Sequence, residues 1–188
     1  LGYIFEEKPR RRFLAEKADA LGVPFGPERA RLVRGEAITL SDGRHIDPED
    51  VLGPDVPGAR YVHTGDVGRT DNIFEYVRNA HALTIEATYQ EADADLAESF
   101  GHMTAARAAR LALEANVRTL LLTHISRRSR ERDILAEAQA IFPDTYVARD
   151  LDRFIINKEH PVEKVRRDRP SGPVSAPEPD GPTEALPE

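Results

Sequence analysis

The sequence predicts an α/β fold with a largely parallel or mixed sheet, and three observations carry that prediction. Short apolar runs of strand character alternate with longer segments of helical spacing across residues 59–157. Three motifs fall where a strand ends or a helix begins: Thr64-Gly65-Asp66, Glu86-Ala87-Thr88 with Gly101-His102-Met103-Thr104, and Leu122-Thr123-His124. In an α/β fold those are the places where loops gather reactive side chains on one sheet edge. The composition agrees, since 188 residues with a 40% hydrophobic share can bury one real core.

In chain order, residues 1–6 already alternate like a strand, with no initiator Met, and read as the middle of a protein. Residues 8–58 form an appendage or arm. Lys8-Pro9-Arg10-Arg11-Arg12 reads as a basic turn. One short helix is expected over 13–21, closed by Gly22. Pro24, Gly26 and Pro27 are expected to force a rigid, extended bend. Residues 37–40 and 44–46 flank Ser41-Asp42-Gly43, a hairpin signal. With so few large apolar residues the arm is not expected to form a core of its own, and it should project from the body.

In the body, strands are expected over 60–64, 82–86, 118–123, 145–148 and 153–156. Helices are expected over 70–79, 92–100, 104–116 and 129–142, the last stopped by Pro143. The domain is placed at 1–163. Residues 164–188 are rich in Pro, Gly, Ser and acids and are expected to be a disordered tail.

Composition narrows the function. The net charge of −7 gives no long-range attraction to nucleic acid, so any RNA contact must use local basic patches. The absence of cysteine excludes disulfides and thiolate metal sites, and leaves His and carboxylate as ligands. It also fits a cytosolic chain. No apolar run approaches the roughly 18 residues of a membrane span, and no signal peptide is expected from the opening residues.

Asp66, His102 and His124 on one sheet edge suggest a metal-dependent hydrolase. Asp66 follows a glycine that permits a sharp turn, and a carboxylate there can bridge two metal ions; a turn or capping role is the alternative. His124 ends an apolar strand, where a neutral imidazole serves either as a ligand or as a satisfied edge histidine. His102 precedes a helix start, with Glu86 at the end of the preceding strand. A carboxylate that orients and charges a histidine makes a better general acid; the alternative is helix capping. His45, His63, His81 and His160 read as structural or surface residues. Arg127-Arg128-Ser129-Arg130 can hold phosphate or be a solvated helix start.

Taken together, these residues resemble ribonuclease Z, the tRNA 3′-processing endonuclease of the metallo-β-lactamase superfamily. The resemblance spans residues 1–156. Gly2-Tyr3-Ile4-Phe5-Glu6-Glu7 is similar to the strand leading into that family's substrate arm, and the segment from Leu21 through Gly26 and Pro27 resembles the arm's Gly-Pro stretch. Gly65-Asp66 matches the start of its Gly-Asp-Thr motif, with Val67 in place of Thr. Ile85-Glu86-Ala87-Thr88 matches its His-Glu-Ala-Thr loop, with Ile in place of His. His102-Met103-Thr104 matches a His-Ser-Thr loop, and Leu122-Thr123-His124-Ile125-Ser126 matches the final ligand motif.

The resemblance implies the C-terminal half of an αββα sandwich, with one apolar sheet face left for another half to cover. It implies an enzyme holding two zinc ions per intact site, which activate a water and stabilise the attacked phosphate. Asp66 and His124 are implied as metal ligands, and His102 with Glu86 as the proton-transfer pair. Arg10, Arg11, Arg12, Gly26 and Pro27 are implied in substrate binding, with precursor tRNA as the substrate, a homodimer as the assembly and the cytoplasm as the location. The family's His-x-His-x-Asp-His signature, which carries most of the ligands, is absent. Two ligands cannot fill two metal shells, so the chain alone is expected to hold no stoichiometric zinc and to be inactive. Two other readings stay open: a related hydrolase of small esters or phosphodiesters, and a non-catalytic half-domain.

Overall fold

A computed structural model describes residues 1–165. The chain enters as β1 (Tyr3–Glu6) and passes directly into the arm. The arm comprises β2 (Arg10–Phe13), α1 (Ala15–Ala20), α2 (Pro27–Val33), β3 (Ile38–Thr39), β4 (His45–Ile46), α3 (Pro48–Val51) and β5 (Leu52–Val56). β3 and β4 form the expected antiparallel hairpin, with Gly43 at φ 86° in its turn. Gly22, at φ 75°, closes α1 as expected; beyond it the Val23 N–H returns to Ala18 O at 2.9 Å.

Three readings of the arm need correction. The basic turn is a strand: β2 pairs antiparallel with β5, and its alternation turns Arg11 inward while Arg10 and Arg12 stay exposed. Arg11 donates from Nε to Gly53 O at 2.8 Å and pairs with Glu49 at 2.9 Å, so it serves the arm's own structure. The Gly26-Pro27 bend opens a helix, because proline at the first helical position gives up an N–H that has no partner there anyway. The arm also has its own small core, in which Ala18, Val23, Leu32, Ile38, Ile46 and Val51 are buried and Phe13, Leu21 and Leu40 pack against them.

The body contains β6 (Arg60–His63), α4 (Phe74–Val77), β7 (Ala82–Glu86), α5 (Ala94–Phe100), α6 (Ala105–Glu114), β8 (Leu120–Thr123), α7 (Glu131–Gln139), β9 (Thr145–Val147), β10 (Arg153–Ile155) and β11 (Glu163–Val165). The main sheet runs β1-β6-β7-β8-β9. β1 is antiparallel to β6, and the remaining pairs are parallel. This is the mixed α/β layer that the alternation predicts. Val62, Leu83, Ile85, Leu120, Leu122 and Val147 share one face and pack with the apolar sides of α4, α6 and α7. α6 meets the sheet through Ala105, Ala108, Ala109 and Ala112, all buried, whose small side chains let the helix sit close.

The helix expected over 70–79 shrinks to one turn. Thr70 O takes the N–H groups of Ile73 and Phe74 in a turn, and Arg78 leaves helical geometry (ψ 131°) before the left-handed Asn79. The second sheet face is exposed at the β1 edge, where Phe5 stacks on Tyr61 at 5.6 Å between ring centres, but it is closed at Leu121 and Thr84. β10 and β11 form an antiparallel hairpin, so Lys164 and Val165, assigned by composition to the tail, belong to a strand. The rest of the expected tail lies outside the described residues.

Candidate metal centre

The three parallel strands β6, β7 and β8 run the same way, so their C-terminal ends open on one edge. Asp66 leaves β6 through Gly65, which takes φ 66°; an added Cβ there would meet Leu1 O at 3.1 Å. His124 follows the last residue of β8 and is itself left-handed, at φ 54°. A non-glycine residue in that region is uncommon, and here it turns the chain sharply at the end of β8. His102 sits in the loop between α5 and α6, after the left-handed Gly101 that caps α5.

The helix start behind His102 is pinned. Thr104 Oγ1 caps α6 by accepting from Arg107 N–H at 3.2 Å and donates to Glu91 at 2.5 Å. That hydroxyl, opposed by burial and helped by Arg110, holds the Glu91 carboxyl below the usual carboxylate range. Glu137 on α7 accepts the Ala106 N–H at 3.0 Å.

Glu86 is the organising group. Strand alternation points Ile85 into the helix-side core and Glu86 the other way, so the Ile that stands in place of the resembled family's His lies away from the site. The Glu86 side chain is fully buried and its carboxylate accepts from four donors: Val67 N–H at 2.7 Å, Thr88 Oγ1 at 2.5 Å, His102 Nδ1 at 2.9 Å and Met103 N–H at 3.2 Å. One carboxylate therefore holds the loop carrying Asp66 to the loop carrying His102. The third loop is tied in through Ser126 N–H to Thr88 O at 3.1 Å. Because a carboxylate only accepts, Nδ1 of His102 carries the hydrogen and Nε2 is its remaining nitrogen.

The remaining geometry is compact. His124 Nδ1 lies 3.7 Å from Asp66 Oδ1, and the His102 and His124 ring centres are 5.1 Å apart. Asp66, His102 and His124 offer donor atoms that all lie within 4.8 Å of one another. Two imidazoles and a carboxylate are a donor set suited to zinc. The four residues expected from sequence as metal ligands and proton-transfer pair thus meet at one edge. The arm residues Arg10, Arg11, Arg12, Gly26 and Pro27 lie on β2 and at the start of α2 and are not members of this cluster. His81 is structural, its Nδ1 accepting from Arg60 N–H at 3.0 Å. Burial, with Arg118 nearby, holds that imidazole below its ordinary range.

Sequence reasoning missed Val67, Thr88 and Gly68. The Glu86–Thr88 spacing of two was a usable signal, because it puts both on one side of an extended chain. Gly68 had none: it lies against Gly101, and an added Cβ would come within 2.7 Å of the Gly101 carbonyl carbon. Gly68→Ala is therefore expected to push the Asp66 and His102 loops apart and cost about 1–3 kcal/mol, the usual range for overpacking. Chemical denaturation checks this; a stability equal to wild type would refute the contact.

The model of the beta-lactamase superfamily domain matches residues 18–125. A ribonuclease Z of Bradyrhizobium diazoefficiens is 44% identical over 155 residues, covering 82% of this chain and 52% of that protein. A ribonuclease Z of Brevibacillus brevis is 40% identical over 163 residues, covering 83% and 51%. The chain spans about half the length of the curated relatives it matches. Among solved structures, the metallo-beta-lactamase fold protein YhfI from Bacillus subtilis aligns with a TM-score of 0.45 at 25% identity, over 50% of this chain and 42% of that one. No helix among the described residues is long and apolar enough to cross a membrane. With the family model matching more than half of its residues, and with its strand-end Asp and His cluster on a mixed α/β layer, the chain belongs to the beta-lactamase superfamily.

Proposed function

We propose that this chain is the C-terminal half of a zinc-dependent endoribonuclease of the ribonuclease Z type, which processes the 3′ end of precursor tRNA in the cytoplasm as a homodimer. The observation that carries the reading is the buried Glu86 paired with His102 at 2.9 Å, set beside Asp66 and His124. Asp66 and His124 would hold metal, with further ligands from the rest of the protein. Metal, when bound, supplies the positive charge that activates water and stabilises the attacked phosphate.

The chain's own residues do the remaining work. Glu86 fixes the His102 ring through Nδ1 and leaves Nε2 as the nitrogen that delivers a proton to the leaving oxygen. Arg127, Arg128 and Arg130 come shortly after His124 in sequence and are exposed, which supports a role in meeting phosphates. On the arm, Phe25 is 92% exposed beside Gly26 and Pro27, with the Arg29 guanidinium 5.5 Å from its ring centre. An exposed aromatic next to a cation suits an unpaired base or a phosphate.

The full-length protein should cut a 3′-extended precursor tRNA at the end of the acceptor stem. Turnover of small phosphodiesters alone would instead favour the small-substrate hydrolase. Arg10→Ala with Arg12→Ala should weaken tRNA binding several-fold while sparing hydrolysis of a small phosphodiester, because phosphate contacts position without acting in the chemistry. Arg11→Ala should instead lower stability, since it removes the Gly53 and Glu49 contacts. Equal losses on both substrates in the Arg10/Arg12 variant would refute the arm's role.

A further inference from the structure

We infer that Tyr89 is a stacking platform for the base of the nucleoside that carries the leaving oxygen. The inference rests on the proposed function, in which His102 protonates that oxygen. It adds a substrate contact that the acid, its carboxylate and the metal ligands do not make.

Tyr89 is placed by its backbone. It follows Glu86-Ala87-Thr88, just past the end of β7, and forms an isolated parallel bridge with Thr104. Its N–H donates to Met103 O at 3.3 Å, and its carbonyl accepts the Ala105 N–H at 2.9 Å. The residue is thereby clamped between the loop of Glu86 and the loop of His102. Its ring centre lies 6.1 Å from that of His102, with the two planes 57° apart. The side chain is half-buried and belongs to neither hydrophobic core. A fixed aromatic ring left partly open beside a proton donor is a contact surface already ordered before substrate arrives, so little entropy is lost in using it.

The neighbour's chemistry says what that surface meets. Glu86 holds Nδ1 of His102 at 2.9 Å, so the proton leaves from Nε2. The oxygen that takes it is joined to its base through a single sugar, which brings the base within reach of the side chain bordering the acid. Every base has a π-face, so an aromatic ring accepts any of them without reading sequence. The contact is the same before and during cleavage. It therefore tightens binding and leaves the chemical step as it was.

The test uses the full-length enzyme and two precursor tRNAs, one intact and one with an abasic nucleotide on the side from which the oxygen leaves. The product ends identify that side, because the nucleoside released with a free hydroxyl carried the oxygen. Tyr89→Ala is expected to raise KM for the intact precursor by about 5–150-fold, the range of base–aromatic stacking, with kcat unchanged. Wild-type enzyme should lose a similar factor on the abasic precursor, and Tyr89→Ala should lose nothing more on it. Tyr89→Phe should keep the wild-type KM. Tyr89→Leu keeps bulk without the π-face and should behave like Tyr89→Ala; it carries the test if Tyr89→Ala fails to fold. A ring that merely supports His102 would instead lower kcat on both precursors. That outcome, a wild-type KM in Tyr89→Leu, or an unchanged KM of the wild-type enzyme for the abasic precursor would each overturn the inference and leave the proposed function standing. A wild-type enzyme that cuts no precursor tRNA would overturn the proposed function and this inference with it.

Discussion

His102→Ala in the full-length enzyme is expected to lower precursor tRNA cleavage by about 10²–10⁴-fold, the usual worth of a positioned general acid. The ring is held on the buried Glu86 at 2.9 Å, and its centre lies 5.1 Å from that of His124. That places a proton donor beside the proposed metal ligands. In the full-length protein, where other ligands complete the site, metal content should stay at the wild-type level. Asp66→Ala should lose metal and activity together. Metal analysis alongside single-turnover kinetics separates the two outcomes. Loss of metal in full-length His102→Ala, with metal retained in Asp66→Ala, would show the roles to be reversed.

The second large effect belongs to Glu86→Gln. Removal of only a charge supporting an imidazole would give a milder defect than loss of the ring. The four donors alter that expectation. An amide presents one acceptor and one NH₂ group, so at least one buried donor among the Val67, Thr88, His102 and Met103 groups faces another donor. Each buried group left unsatisfied costs about 1–3 kcal/mol. Glu86→Gln should therefore lower unfolding free energy by at least about that amount and loosen both the Asp66 and the His102 loops. Activity should fall at least as far as in His102→Ala. Denaturant unfolding checks the first claim and cleavage kinetics the second. Wild-type stability in the Gln variant would mean that the carboxylate does not bind the loops together.

The sequence by itself determined the class of fold, most of the body and which strand-end residues the fold brings together. β7 occupies the predicted span, because a run such as Ala82-Leu83-Thr84-Ile85-Glu86, buried on both faces, is compatible with little but a central strand. α6 was legible from its alanine stripe and its Thr104 cap. Asp66, Glu86, His102 and His124 were legible because motifs at strand ends are local features, and parallel strands bring their ends together regardless of the distance between them in sequence.

The arm was read less well, for a physical reason. The expected bend at Pro27 is a helix start, and Pro48 opens another helix, in each case where a missing N–H costs nothing; Asp47 and Asp50 complete a capping box around the second. Residues 10–13 carry no apolar alternation, and only their partner β5 makes them a strand. What tertiary structure alone decided is how the loops are joined. No local pattern announces that Glu86 accepts from Val67, nineteen residues earlier, and from Met103, seventeen later, or that Gly68 lies against Gly101. Those contacts exist because a buried carboxylate must be satisfied from whatever the fold brings within reach. They turn His102 from one residue of a motif into a ring with one nitrogen anchored and the other free.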